Sequence, residues 1–132
     1  LDERPVRPIP ASTTLLQPLL ATIPYQAFAA EVARRTGGAV AVSGAVDLVL
    51  DASREARLAR GSALLPRVTG TGCLLGALTA ACTAVWEDPF EAALAATTWM
   101  ALAGERAASR ATGPGSFRMH LLDALDEIGD LP

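Results

Sequence analysis

Val68-Thr69-Gly70-Thr71-Gly72-Cys73 runs straight into the apolar segment Leu74 to Val85, and the reading of this junction decides the fold. Its closely spaced glycines permit backbone angles that other residues resist, so several N–H groups can turn toward one point just where a helix begins. A helix N-terminus carries unpaired donors and partial positive charge, and such a turn is built to hold an anion, most often phosphate. By itself the G-x-G spacing fits equally well a tight loop that packs a buried helix against a sheet, because a motif counts only in its structural context.

Upstream of the junction, Tyr25 to Arg35 sorts into apolar and polar faces and is followed by Gly37 and Gly38, which predicts a helix with its stop signal. Ala39-Val40-Ala41-Val42 is a short apolar run of the kind that forms a buried strand. Ser43-Gly44 turns into Val46 to Leu50, a second strand; Asp51 to Glu55 reads as a turn, and Ala56 to Ala59 as an edge strand before Gly61. Residues 1–24, with Pro5, Pro8, Pro10, Pro18 and Pro24, read as an arm or linker in which Leu15 to Ile23 forms at most a short packed segment.

Downstream, Leu74 to Val85 is apolar on every side, with only Thr79 and Thr83 as polar relief, so this helix is expected to be buried between other elements. Asp88-Pro89-Phe90-Glu91 supplies an N-cap, a proline at the first helical position and a carboxylate two residues later, which starts a helix reaching about Ser109. Gly113-Pro114-Gly115 breaks the chain. Ser116 is expected to cap a last helix with Phe117, Leu121, Ala124 or Leu125, and Ile128 on one face, ended by Gly129. Helix, strand, turn, strand, strand, and then a glycine loop into a helix is an α/β pattern.

The 132 residues suit one domain, and 51% hydrophobic against 19% charged residues is the balance of a folded chain with much of its surface covered. A net charge of -3 with scattered basic residues argues against nucleic acid as a partner. All eleven basic residues are Arg, and neither Lys nor Asn occurs. A P-loop lysine and a Schiff-base lysine are thereby excluded, as is N-glycosylation. The first residues lack the uninterrupted apolar region of a signal peptide and no stretch reads as a membrane span, which leads to the expectation of a cytoplasmic protein. Cys73 and Cys82 lie on one helix and point to roughly opposite sides, so they neither bridge each other nor make a zinc site. His120 has no Cys or His neighbour and reads as packed or surface; Trp86 and Trp99 read as core or interface.

From about Tyr25 to its end the chain resembles the C-terminal half of hydroxyethylthiazole kinase, a family of the ribokinase-like superfamily. Three blocks carry the resemblance: Val40-Ala41-Val42-Ser43-Gly44-Ala45-Val46-Asp47, Val68-Thr69-Gly70-Thr71-Gly72-Cys73-Leu74-Leu75, and Ala111-Thr112-Gly113-Pro114-Gly115-Ser116-Phe117. Cys73 is the distinctive mark, since most relatives in the superfamily have aspartate there. The resemblance implies a partial ribokinase-like α/β/α layered fold over residues 25–132. It also implies ATP-dependent, magnesium-assisted phosphorylation of the hydroxyl of 4-methyl-5-(2-hydroxyethyl)thiazole in thiamine biosynthesis or salvage, and a trimer.

On the matching positions, Ser43 would contact ATP and Gly70 the thiazole. Gly70, Thr71 and Gly72 would offer N–H groups to the transferring phosphoryl group, and Cys73 would sit beside the reacting hydroxyl. A helix N-terminus favours a thiolate, whereas ATP's phosphates repel one, so Cys73 is expected to help without being indispensable. The sequence departs from the family at Ala45, where glutamate is expected, and at Arg60 and Ser62, where Asn and His are expected. The family's longer chain would carry most of the sheet, an ATP-contacting arginine and the acidic magnesium motif in a half that does not match here; without Asn, an N-x-x-E motif cannot be formed. Two alternatives stand beside this reading: another ribokinase-like enzyme, such as a hydroxymethylpyrimidine kinase or an NAD(P)H-hydrate dehydratase, and a non-catalytic remnant with an assembly role.

Overall fold

A computed structural model describes residues 17–129, with side chains from Gln26 onward. In chain order it contains α1 (Gln17–Thr36), β1 (Val40–Val42), β2 (Asp47–Leu50), β3 (Glu55–Leu58), a single 3-10 turn at Leu65–Arg67, α2 (Thr71–Thr83), α3 (Pro89–Arg110) and α4 (Pro114–Gly129). The expected arm falls largely outside the described residues. Where it is described, the helix starts at Gln17 and not at Tyr25. Pro18 lies in the first turn, where its missing N–H costs nothing, and the helix passes Pro24 at the cost of one ladder bond.

The three strands form an antiparallel meander in the order β1-β2-β3, with Ala41 opposite Val49 and Val49 opposite Ala56. Strand side chains alternate between faces, and β2 is nevertheless apolar without a break from Leu48 to Leu50. Both of its faces are covered. Leu48 and Leu50 pack on Ala29 and Ala33 of α1, while Val49 packs on Phe90 and Ala93 of α3. The result is a local α/β/α sandwich, built from alanines on the helices and branched residues on the strand.

A second core joins α3 to α4. Met100, Ala103 and Ala107 meet Phe117, Leu121 and Ala124, with Leu64, Leu65 and Val68 packed against the cluster. The start of α4 differs from the expected serine cap. Gly113 is the capping residue, its carbonyl accepting from the Phe117 N–H at 2.9 Å, and Ser116 stands three residues in, its hydroxyl accepting from the Gly113 N–H at 3.2 Å. This is the reciprocal half of a capping box, with serine in the place usually held by Glu or Gln. The α3 start follows the expected pattern, Asp88 accepting from the Phe90 N–H at 2.8 Å with Pro89 at the first position.

Arg54 locks the sheet to that helix start. It donates to Asp51 at 2.7 Å and to both oxygens of Asp88 at 2.7 and 2.9 Å, with its guanidinium carbon 4.4 Å from the Phe90 ring centroid. Asp51 also accepts the N–H groups of Ser53 and Arg54, closing the turn between β2 and β3. The expectation of a buried α2 is not met. Only Cys82 is buried; α2 packs on α3 through Leu75, Leu78 and Cys82 and leaves Gly72, Cys73, Gly76, Ala77 and Ala80 exposed. Its all-round apolar character therefore exceeds what the described residues cover. No described helix is long and apolar enough to cross a membrane.

Two predictions follow from this packing. Phe117, fully buried between α3 and α4, should cost about 3–5 kcal/mol when replaced by alanine, whereas Met119→Ala, on the exposed side of the same helix, should stay within about 0.5 kcal/mol; urea unfolding of both variants measures the contrast. The Ser53 and Arg54 donors hold the Asp51 carboxyl down at about 2, from an ordinary 3.8. A depressed carboxylate contributes stability that is complete above the unfolded value and is lost as pH falls toward the folded one. Melting temperature should thus fall between about pH 4 and pH 2, and the fall should be shallower in Asp51→Asn.

Candidate functional site

Gly70 makes the turn into α2. It is the N-cap and sits at φ 99°, ψ -9°, in the left-handed region. The turn leaves the Thr71, Gly72 and Cys73 N–H groups without acceptors among the described residues, and the first backbone bond of the helix runs from Leu74 to the Gly70 carbonyl at 2.9 Å. An ordinary N-cap side chain would bond one of these amides; glycine at that position leaves all three open. Three donors without acceptors therefore stand at the positive end of a helix of thirteen residues, a place where an anion is favoured.

Thr71 and Gly72 open onto a cavity of about 800 Å³. The β1–β2 turn also lines it, through Ser43 and Gly44, with the Gly44 N–H held by Asp47 at 2.8 Å. α3 lines it through Met100, Ala101 and Glu105. Of the expected site residues, the fold thus brings Ser43, Thr71 and Gly72 to one cavity. Gly70 and Cys73 are not among its lining residues, and Cys73 is exposed at the start of α2. A Cβ placed on Gly70 would meet nothing within 4 Å. The glycine is needed for its positive φ, not for room within the chain.

The structure adds a feature that sequence reading passed over. The segment between β3 and α2 carries Arg60 and Gly61, both on the cavity wall, and both are bound by Glu105. Arg60 donates through Nε at 2.8 Å and through Nη2, and the Gly61 N–H donates at 3.0 Å. The Arg60 guanidinium, and after it the Gly61 N–H, hold the Glu105 carboxyl down at about 2. The one available signal was Gly104, a glycine inside an otherwise helical pattern, which marks a close approach. Leu65 occupies that space, its Cδ1 only 2.9 Å from where a Gly104 Cβ would lie.

A magnesium site is a separate matter. Among the described residues no three His, Cys, Asp or Glu side chains come together as metal ligands. Asp47 and Glu105 reach the cavity, but each is engaged by donors of the chain itself.

Residues 20–130 match the hydroxyethylthiazole kinase family. Over 100 residues the chain is 54% identical to hydroxyethylthiazole kinase of Kineococcus radiotolerans, covering 76% of this chain and 36% of that one. Over 97 residues it is 48% identical to the Escherichia coli protein of the same name, covering 74% of this chain and 37% of that one. A solved hydroxyethylthiazole kinase structure from Pyrococcus horikoshii superposes with a TM-score of 0.72 at 39% identity, over 86% of this chain and 44% of its own. The chain spans less than half the length of these relatives, and its fold is the corresponding portion of a ribokinase-like α/β domain.

The geometry of the loop separates its glycines. Gly70→Ala should destabilise the chain by roughly 1–2 kcal/mol, because alanine resists the left-handed region. Gly76→Ala, on the open face of α2 with nothing within 4 Å of the new Cβ, should stabilise it by about 0.5–1 kcal/mol. Denaturant midpoints of the two variants should move in opposite directions.

Proposed function

The chain belongs to the hydroxyethylthiazole kinase family, and on that premise we propose that its glycine loop is the phosphoryl-transfer site of an ATP-dependent kinase acting on the hydroxyl of 4-methyl-5-(2-hydroxyethyl)thiazole. The observation that carries the proposal is the group of three open amides at Thr71, Gly72 and Cys73, the first two on residues that line one cavity with Ser43.

In this reading the substrate hydroxyl attacks the γ-phosphorus of ATP, the bond to the β–γ bridging oxygen breaks, and ADP leaves. The amides stabilise the charge spread over the transferring oxygens, and because they are fixed in place beforehand they need no reorganisation as that charge develops. The Ser43 hydroxyl contacts the nucleotide. Gly70, bare of a side chain, lets the thiazole approach the backbone. Cys73 lies beside the reacting hydroxyl as an auxiliary base, and a strong base is not required, since phosphoryl transfer relies on positioning and electrostatics. Its presence where most of the superfamily carries aspartate favours the thiazole kinase over other ribokinase-like enzymes.

Magnesium, when bound, would neutralise charge on the phosphates. The described residues offer no ligand group for it, and we place that group in the portion of the relatives' length that this chain does not span. The described residues then supply the phosphoryl end of the site and part of the nucleotide pocket, and the chain's partner in the cytoplasm is either further copies of itself in a trimer or a complementing N-terminal half.

Purified 132-residue protein is expected to bind phosphate weakly and to show no measurable turnover of thiazole with ATP; steady turnover would refute the division of labour. In the complete kinase, Gly70→Ala should lower kcat by a factor of ~10² to 10³, the size of effect expected when an oxyanion donor is displaced, because alanine resists the left-handed turn that aims the amides. Cys73→Ala should be milder, and Cys73→Asp should retain substantial activity. An inactive Cys73→Asp beside a normal Gly70→Ala would overturn the assignment of the loop.

A further inference from the structure

The open amides stand at the end of a chain of contacts that begins on α3. Glu105 takes three donors from the segment after β3, two from Arg60 and one from the Gly61 backbone. Gly61 can accept this geometry because it sits at φ 114°. One residue earlier on α3, Gly104 gives Leu65 a seat directly on the helix backbone. Leu65 in turn carries the carbonyl that accepts from the Thr71 hydroxyl at 3.0 Å, a bond shared with the Val68 carbonyl at 3.1 Å. The 3-10 turn between them is closed by its own bonds from Arg67 to Leu64 and from Val68 to Leu65. Adjacent residues of α3 therefore grip segment 60–67 at two points, and that segment grips the first residue of α2.

We infer that Glu105 is a positioning residue for the glycine loop, holding the amides of Thr71, Gly72 and Cys73 in register with the cavity through Arg60, Gly61 and the Leu65–Thr71 bond. The functional consequence rests on the reading of that loop as a phosphoryl site; the positioning itself does not. An exposed ion pair contributes little on its own, and Arg60 is mostly exposed. The value of the contact is geometric. A carboxylate with one flexible partner is a surface pair, whereas one that also receives a backbone N–H fixes where the main chain runs. Arg60 serves a second purpose. Glu105 lines the same cavity as the amides, and the guanidinium neutralises a carboxylate that would otherwise repel an incoming phosphate.

The test uses nitrogen-15-labelled full chain and reads the amide resonances of Thr71, Gly72 and Cys73 without ligand, with those of β2 and α4 as references. In Glu105→Ala the three loop resonances should shift while the references stay. In Glu105→Gln, which keeps one acceptor for Gly61, they should shift less and in the same direction. This second variant decides the matter if the alanine variant fails to fold. Loop resonances at their wild-type positions in the folded variants would overturn the inference. Titration with inorganic pyrophosphate then separates position from function. Weaker binding in Glu105→Ala supports the link to the site, and unchanged affinity refutes it. A wild-type chain that shows no pyrophosphate response would refute the phosphoryl reading, while the ligand-free shifts would still decide the role of Glu105.

Discussion

The first amides of α2 cannot be satisfied by α2. Every helix has this deficit, and most cover it with a capping side chain; here the cap position is a glycine in the left-handed region, which turns the chain and offers nothing in return. The rest of the site is arranged around the uncovered end. The β1–β2 turn and α3 line the same cavity, and the segment after β3 is tied to the first residue of α2 through the Thr71 hydroxyl. Water can meet the open donors at little cost, so the arrangement is stable without ligand, while a phosphate gains both the hydrogen bonds and the helix dipole.

The scaffold that holds these pieces uses few large side chains. Alanines at 29, 33, 92, 96, 103 and 107 are buried, most of them completely, which lets helix and sheet backbones approach closely. Weight is carried instead by Phe117, Leu121 and Val49 and by polar ties between elements. Arg54 binds the sheet to the start of α3, and Glu105 binds the cavity wall to its middle. One helix thus carries a tie to the sheet at its start and a tie to the cavity wall in its middle.

Much of this was legible in the residues. The three strands follow from short apolar runs separated by turn residues, though not their pairing, and the α3 start follows from Asp88-Pro89-Phe90-Glu91, where cap, proline and carboxylate agree. The reading of the glycine loop as an anion site leaned on three blocks that resemble a family. Local chemistry fails where the deciding partner is far along the chain. Glu105 looked like any polar helix residue, since its donors lie 44 and 45 positions earlier. Ser116 looked like a cap because serine usually is one, and Pro114 placed one residue after Gly113 moved the helix start upstream. The burial expected for α2 was a sound inference from its composition, yet composition states only that a face seeks cover, not that the described residues provide it.

The meander also bears on the order in which the molecule assembles. Each strand finds its neighbour by closing a turn of a few residues, as β-hairpins do in about 1–10 μs, whereas the ties from Arg54 to Asp88 and from Arg60 to Glu105 span 34 and 45 residues. Loop closure of that length costs about 2 kcal/mol more than closing a turn of four. The sheet and the α3–α4 pair can therefore form as separate local units, and the cavity wall is completed by the longest closures. The wall that Arg60 and Gly61 give the cavity therefore depends on the closure with the larger entropy cost of these two ties.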